Sequence, residues 1–193
     1  MVENLFKFAL NDYWRNIDKK ILLSFLVLFF LGLFFSFSST SSLAGERLNK
    51  DYYFFFTKHL FYTFIALIIM IFISVVKTEF IIKFSTHFFI ISFILLALVP
   101  IIGTEVKGAK RWLDFYFFRL QPIEILKPLF ILMTVKILTF DKFKNSRIKY
   151  LLSFILLISI IILLIDQPDL GQSILLIGSW VAIVFISGVS LTY

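Results

Sequence analysis

Three short stretches of this 193-residue chain carry residues whose types and spacing can do chemistry. The first is Lys107-Gly108-Ala109-Lys110-Arg111-Trp112, followed by Asp114 and Arg119. Four cations within 13 residues suit an anion, and an arginine grips phosphate through two parallel N–H bonds. The same charges also suit a solvated loop lying against lipid headgroups, with Trp112 as an interfacial anchor. The second stretch is Arg119-Leu120-Gln121-Pro122-Ile123-Glu124-Ile125-Leu126-Lys127-Pro128. Pro122 fits a first helical turn, which places Glu124 and Lys127 three apart on one face, close enough to pair. Charge within a membrane helix is costly and generally faces a bundle interior or a water-filled cavity, the mark of a functional site. The other reading is a neutralising structural pair, with Lys127 reaching outward to the interface. The third stretch is Asp166-Gln167-Pro168-Asp169-Leu170-Gly171. Two carboxylates three apart invite acid–base work. Asp169 is also placed to cap the helix that follows, and caps are far commoner than catalytic dyads.

These groups need elements built to live in lipid. Hydrophobic residues make up 60% of the chain, charged residues only 16%, and Phe alone contributes 27; mean hydropathy is +0.98. One soluble core of this size cannot hide so much apolar surface, and disordered chains are poor in aromatics. The composition implies an all-α, polytopic membrane helix bundle. A span needs about 17–25 apolar residues. Six stretches meet this length or come within one residue of it, over residues 21–37, 60–76, 84–102, 123–140, 150–165 and 170–189. No repeat, linker or low-complexity tract divides residues 1–193, which reads as a single transmembrane domain. Gly171, Gly178 and Gly188 give the sixth helix small residues for close approach.

With a cytoplasmic N-terminus, eleven of the 19 Lys and Arg residues count as inside, Lys136 near the inner end of the fourth span among them, and seven as outside, with Lys127 deeper in that span. That bias sets the orientation. Four of the outside cations crowd into the 103–120 loop, against the rule, so something there rewards positive charge. Ser42-Leu43-Ala44 has the look of a signal-peptide cleavage site. The 20-residue charged lead and the long apolar run favour a retained first span.

Other chemistry is excluded. Zero Cys removes disulfides and thiolate ligands. His59 and His87 lie 28 residues apart, without a second ligand at metal spacing. No Gly-rich phosphate loop, nucleophile elbow or dinucleotide fingerprint occurs. No metal and no cofactor is expected. The net charge of +7 reads as membrane-flanking charge, not as a nucleic-acid surface.

In this order and spacing the three stretches resemble the SEDS family of bacterial cell-wall polymerases, FtsW and RodA. Ser38-Ser39-Thr40-Ser41, Asp51-Tyr52-Tyr53-Phe54-Phe55 and Lys58-His59-Leu60 look more like the division-type FtsW than the elongation-type RodA. The resemblance implies a ten-helix inner-membrane glycosyltransferase that polymerises lipid II, the undecaprenyl-diphosphate-linked disaccharide pentapeptide. It also implies a class B penicillin-binding protein and other division proteins as partners at the septum. Lys107, Arg111 and Trp112 match the family's outer-loop motif; Arg119, Glu124 and Lys127 match polar positions of its fourth helix; Gln167, Pro168 and Asp169 match the motif before its sixth. All nine are expected to bind substrate. The family's proposed catalytic Asp lies between the seventh and eighth helices, so no residue here is assigned as catalytic, and Asp166 and Asp169 are not promoted to that role. The resemblance implies that these residues form the N-terminal half of a longer protein, a natural six-helix relative being the other reading. Two further functions share the same charges: a lipid II flippase, and a non-catalytic division scaffold.

Overall fold

The computed structural model describes residues 17–39, 53–106, 108–115, 118–140 and 145–188. The chain forms two compact units, Met1–Lys77 and Thr78–Tyr193.

The first unit holds helices α1 (Lys19–Ser39) and α2 (Phe54–Val75). Asp18 starts α1 by accepting the Lys20 and Ile21 N–H groups on Oδ1 at 2.9 and 3.2 Å, which satisfies two donors that a helix start leaves unpaired. From there α1 is apolar nearly throughout, and its 21 residues extend about 32 Å, enough for a hydrocarbon core of about 30 Å. The α1–α2 hairpin closes on aromatics: Phe37 stacks on Tyr53 at 6.0 Å and meets Phe56 edge-on at 5.3 Å. Farther along, Gly32 leaves room for His59, whose Nε2 would lie 3.6 Å from a Cβ at that position.

The second unit packs α3 (Thr78–Ile102), α4 (Pro122–Leu138), α5 (Ser146–Ile165) and α6 (Leu170–Ile186). Their buried positions recur every three or four residues: Ser85, Phe89, Ser92, Leu96 and Val99 on α3, and Ser153, Leu157, Ile160 and Leu164 on α5. One stripe per helix faces the core while the rest faces lipid. Small polar residues in each stripe let the backbones approach. Phe130, Leu126 and Ile123 of α4 fill the centre. Side-chain hydrogen bonds tie neighbours together, as between Trp180 Nε1 and Ser153 Oγ at 3.1 Å, and between Lys136 Nζ and Thr86 Oγ1 at 2.7 Å.

Among the described residues six helices form where six spans are expected. Among the described residues four are long and apolar enough to cross a membrane: α1, α2, α3 and α5. The other two have 17 residues each, and α4 carries Glu124, Lys127 and Lys136. Helices α2 and α3 start at Phe54 and Thr78, well before the expected 60 and 84. Lys58 and Lys83 look like boundaries in sequence, but each extends its ammonium over an aromatic ring, Tyr62 and Phe84, about one turn or less away. A flexible lysine stem lets the helix run on past its charge. Helix α6 ends at Ile186, and the expected terminus at 189 lies outside the described residues.

The 103–120 segment, read as a loop, holds a three-stranded antiparallel sheet in the order β1-β2-β3, with β1 at Thr104–Val106, β2 at Ala109–Phe115 and β3 at Phe118–Leu120. The chain leaves α3 through Gly103. A Cβ there would sit 2.3 Å from the Val99 carbonyl oxygen, so only glycine fits the exit.

Candidate functional site

The sheet lies across the ends of α3 and α4, with Leu113 of β2 buried beneath it. Gly108 turns β1 into β2 with φ of 79°, a left-handed conformation that a side chain would strain. The register sets Asp114 opposite Arg119 and Phe115 opposite Phe118. Arg119 Nε donates to Asp114 Oδ2 at 3.0 Å across that pair.

Arg111, in mid-β2, points to the turn between α5 and α6. Its Nε donates to the Gln167 carbonyl at 3.1 Å, its Nη2 donates to the Pro168 carbonyl at 2.5 Å, and Asp169 Oδ2 lies 3.8 Å from Nε. A planar guanidinium reaches both carbonyls at once where an ammonium presents a single point. Gln167, 1% exposed, turns the other way and donates from Nε2 to the Leu96 carbonyl at 3.2 Å. The reason lies four residues along α3. Pro100 sits inside the helix and has no N–H, so the Leu96 oxygen lacks its usual i+4 donor. Gln167 supplies the missing bond from another helix junction. On the same turn of α3, Lys110 Nζ comes within 3.5 Å of the Pro100 carbonyl, a cation at a helix C-terminus.

Asp169 joins the helix starts. It is the N-cap of α6, accepting from Gln172 N on Oδ1 at 3.5 Å. Its Oδ2 accepts from Gln121 Nε2 at 3.4 Å, and Gln121 is the N-cap position of α4. The Gln121 side chain thus ties the start of α4 to the carboxylate that caps α6, where a helix N-terminus favours negative charge. One turn into α4, Glu124 divides its oxygens. Oε2 lies 2.7 Å from Lys127 Nζ, and Oε1 accepts from Gln172 Nε2 of α6 at 2.9 Å. The side chain of Lys127 is 24% exposed against 51% for Glu124, so the ammonium is the more sheltered member of the pair.

The three sequence stretches therefore converge at one end of the second unit. Arg111, Gln167, Pro168 and Asp169 form one connected cluster, and Glu124 with Lys127 forms a second, linked to it through Gln172. Arg119 stands apart with Asp114, its side chain 59% exposed. Trp112 is half-buried in β2, its carbonyl accepting from Thr104 Oγ1 at 3.3 Å. Lys107 lies outside the described residues. The pairing of Glu124 with Lys127 and the capping by Asp169 were readable from spacing. Gln121, Gln172 and the Gln167–Leu96 bond were not. The proline at 100 was the one signal that a carbonyl would need an outside donor.

A family model for FtsW/RodA/SpoVE, described as cell cycle protein, matches residues 18–193. The chain is 33% identical over 187 residues to a probable peptidoglycan glycosyltransferase FtsW of Wigglesworthia glossinidia brevipalpis, covering 91% of this chain and 49% of that protein. It is 28% identical over 186 residues to the protein of the same name from Caulobacter vibrioides, covering 96% of this chain and 47% of that one. The chain thus spans about half the length of these curated relatives. Among solved structures it is similar in fold to the rod shape determining protein RodA of Thermus thermophilus. There the TM-score is 0.64 at 22% identity, over 83% of this chain and 54% of that one. A structure described as a peptidoglycan synthase complex that coordinates polymerization and crosslinking also matches, with a TM-score of 0.64 at 23% identity over 82% of this chain and 47% of that one.

Proposed function

This chain belongs to the FtsW/RodA/SpoVE family of cell cycle proteins, and on that premise we propose that it is the N-terminal, substrate-holding part of a peptidoglycan glycosyltransferase of the FtsW type. In this reading it resides in the bacterial cytoplasmic membrane with its N-terminus inside, works with a class B penicillin-binding protein, and builds septal wall from lipid II. The observation that carries the reading is the sequence match to proteins named peptidoglycan glycosyltransferase across nearly all of this chain.

The geometry supports a division of labour within the site. In strand growth a sugar hydroxyl attacks an anomeric carbon, loses its proton to a base, and a lipid diphosphate departs. The departing group needs fixed positive charge. Lys127 suits that task, because its sheltered ammonium keeps donors beyond the one aimed at Glu124. Arg119 suits it too, since its Nε holds Asp114 and leaves the rest of the guanidinium exposed. Trp112 and Lys107, from the same outer segment, complete the substrate contacts. Arg111, Gln167, Pro168 and Asp169 serve by position: their polar groups are engaged within the protein, and they set where α4 and α6 begin. Asp114, Glu124 and Asp169 each face a cation, an arrangement for holding charge in place and not for removing a proton.

The test uses the protein that carries this chain, reconstituted with its class B penicillin-binding protein and purified lipid II. Lys127→Ala is expected to lower glycan formation about 100-fold, the scale of losing one preorganised donor to a developing anion. Wild-type polymerisation by both Lys127→Ala and Arg119→Ala refutes their assignment. Transport of lipid II across the bilayer with no glycan product from the wild type identifies a flippase instead, and partner binding without either activity identifies a scaffold.

A further inference from the structure

The β2–β3 hairpin ends in aromatic side chains that nothing in the substrate reading uses. Phe115 and Phe118 face each other in register and stack at 5.3 Å with their planes 21° apart. Both remain open, at 42% and 50% exposure. Two stacked, open aromatic rings at the end of a strand pair are costly to leave in water.

The surroundings say what covers them. Strand β1 starts at Thr104, just after the membrane-length helix α3 ends at Ile102, so the sheet begins where the hydrocarbon stops. The last residues of α3, Ile101 and Ile102, are themselves exposed at 73% and 63%, which carries the lipid-facing surface up to the sheet. Next to the tip, Arg119 presents its guanidinium one residue from Phe118, and Lys110 lies farther along β2. Aromatic rings at headgroup depth with cations at phosphate level match the layered chemistry of a bilayer interface.

We propose that the paired Phe115 and Phe118 rings are a membrane-interface anchor that inserts into the outer-leaflet boundary of a phospholipid bilayer. The anchor pins β2, and β2 carries Arg111, so the grip on the 167–169 turn is referenced to the membrane surface as well as to the bundle.

The chain has no Cys, which makes the test clean. The full chain bearing Phe118→Cys, and separately Phe115→Cys, is labelled with a nitroxide and placed in nanodiscs of phosphatidylethanolamine and phosphatidylglycerol. Collision rates with oxygen, which concentrates in lipid, and with a water-soluble nickel chelate are then compared with those of a label at Lys110→Cys. Insertion gives an oxygen-to-nickel ratio several-fold above that at 110 for either tip position. A ratio equal to that at 110 means the tip is in water and overturns the proposal. Exclusion of both reagents means the tip is buried against protein, and overturns it equally. Two label positions guard against one variant failing to fold.

Discussion

Arg111 and Gln167 spend their donors on main-chain oxygens, and this changes how a charged motif should be understood. An arginine in a cation-rich stretch beside a membrane-length helix invites an anion-binding role, yet the carbonyls of Gln167 and Pro168 hold this one. Gln167 is the sharper case, because its partner oxygen belongs to a fully buried residue and lacks its i+4 donor. Replacing Gln167 by Leu keeps a side chain of similar size and removes the N–H. The unpaired Leu96 carbonyl then costs about 1–3 kcal/mol, which is expected to lower the thermal midpoint of the purified protein in detergent. An unchanged midpoint would show that the carbonyl finds another partner. Lys127 differs from both, since among the described residues its ammonium meets a carboxylate on its own helix and keeps donors for a ligand as well.

At the scale of elements the proline in α3 gives that prediction its counterpart. Pro100→Ala restores the N–H that Leu96 ordinarily receives, so the glutamine becomes redundant. In the Pro100→Ala background, Gln167→Leu is expected to cost at least about 1 kcal/mol less than in the wild type, measured as a double-mutant cycle of unfolding free energies. Strict additivity would mean that proline and glutamine act independently. Elements also show where sequence reasoning reaches and where it stops. The helices were legible because long apolar runs leave few alternatives, and their core faces follow from three- and four-residue spacing, as in Ser153, Leu157, Ile160 and Leu164. Their starts were misjudged where Lys58 and Lys83 stand, since a charge at the end of a flexible stem need not end a helix. The sheet escaped notice because β1 and β3 have three residues each. Strands that short carry no alternation, and Lys110, Arg111 and Asp114 make the longest one look like a loop. Of the site, the local pairs were legible. Gln121 with Asp169, and Gln172 with Glu124, were hidden because residues 48 apart meet only once the bundle has formed.

For the molecule as a whole, charge asymmetry leads to the prediction that the sheet end of the second unit faces outward and the Arg147 end of α5 faces inward. A membrane-impermeant maleimide applied to intact spheroplasts is expected to label Lys110→Cys but to reach Arg147→Cys only after the membrane is opened. The reverse pattern would invert the topology. The bond between Gln167 and the proline-bearing helix also bears on how such a protein changes over generations. A lineage that keeps an imino acid at position 100 is confined to a donor at 167, whereas one that loses it releases the second position to drift. The two sites should therefore change in a fixed sequence, first the proline and then the glutamine, and ancestral variants rebuilt in the opposite order should be the ones that fail to accumulate in the membrane.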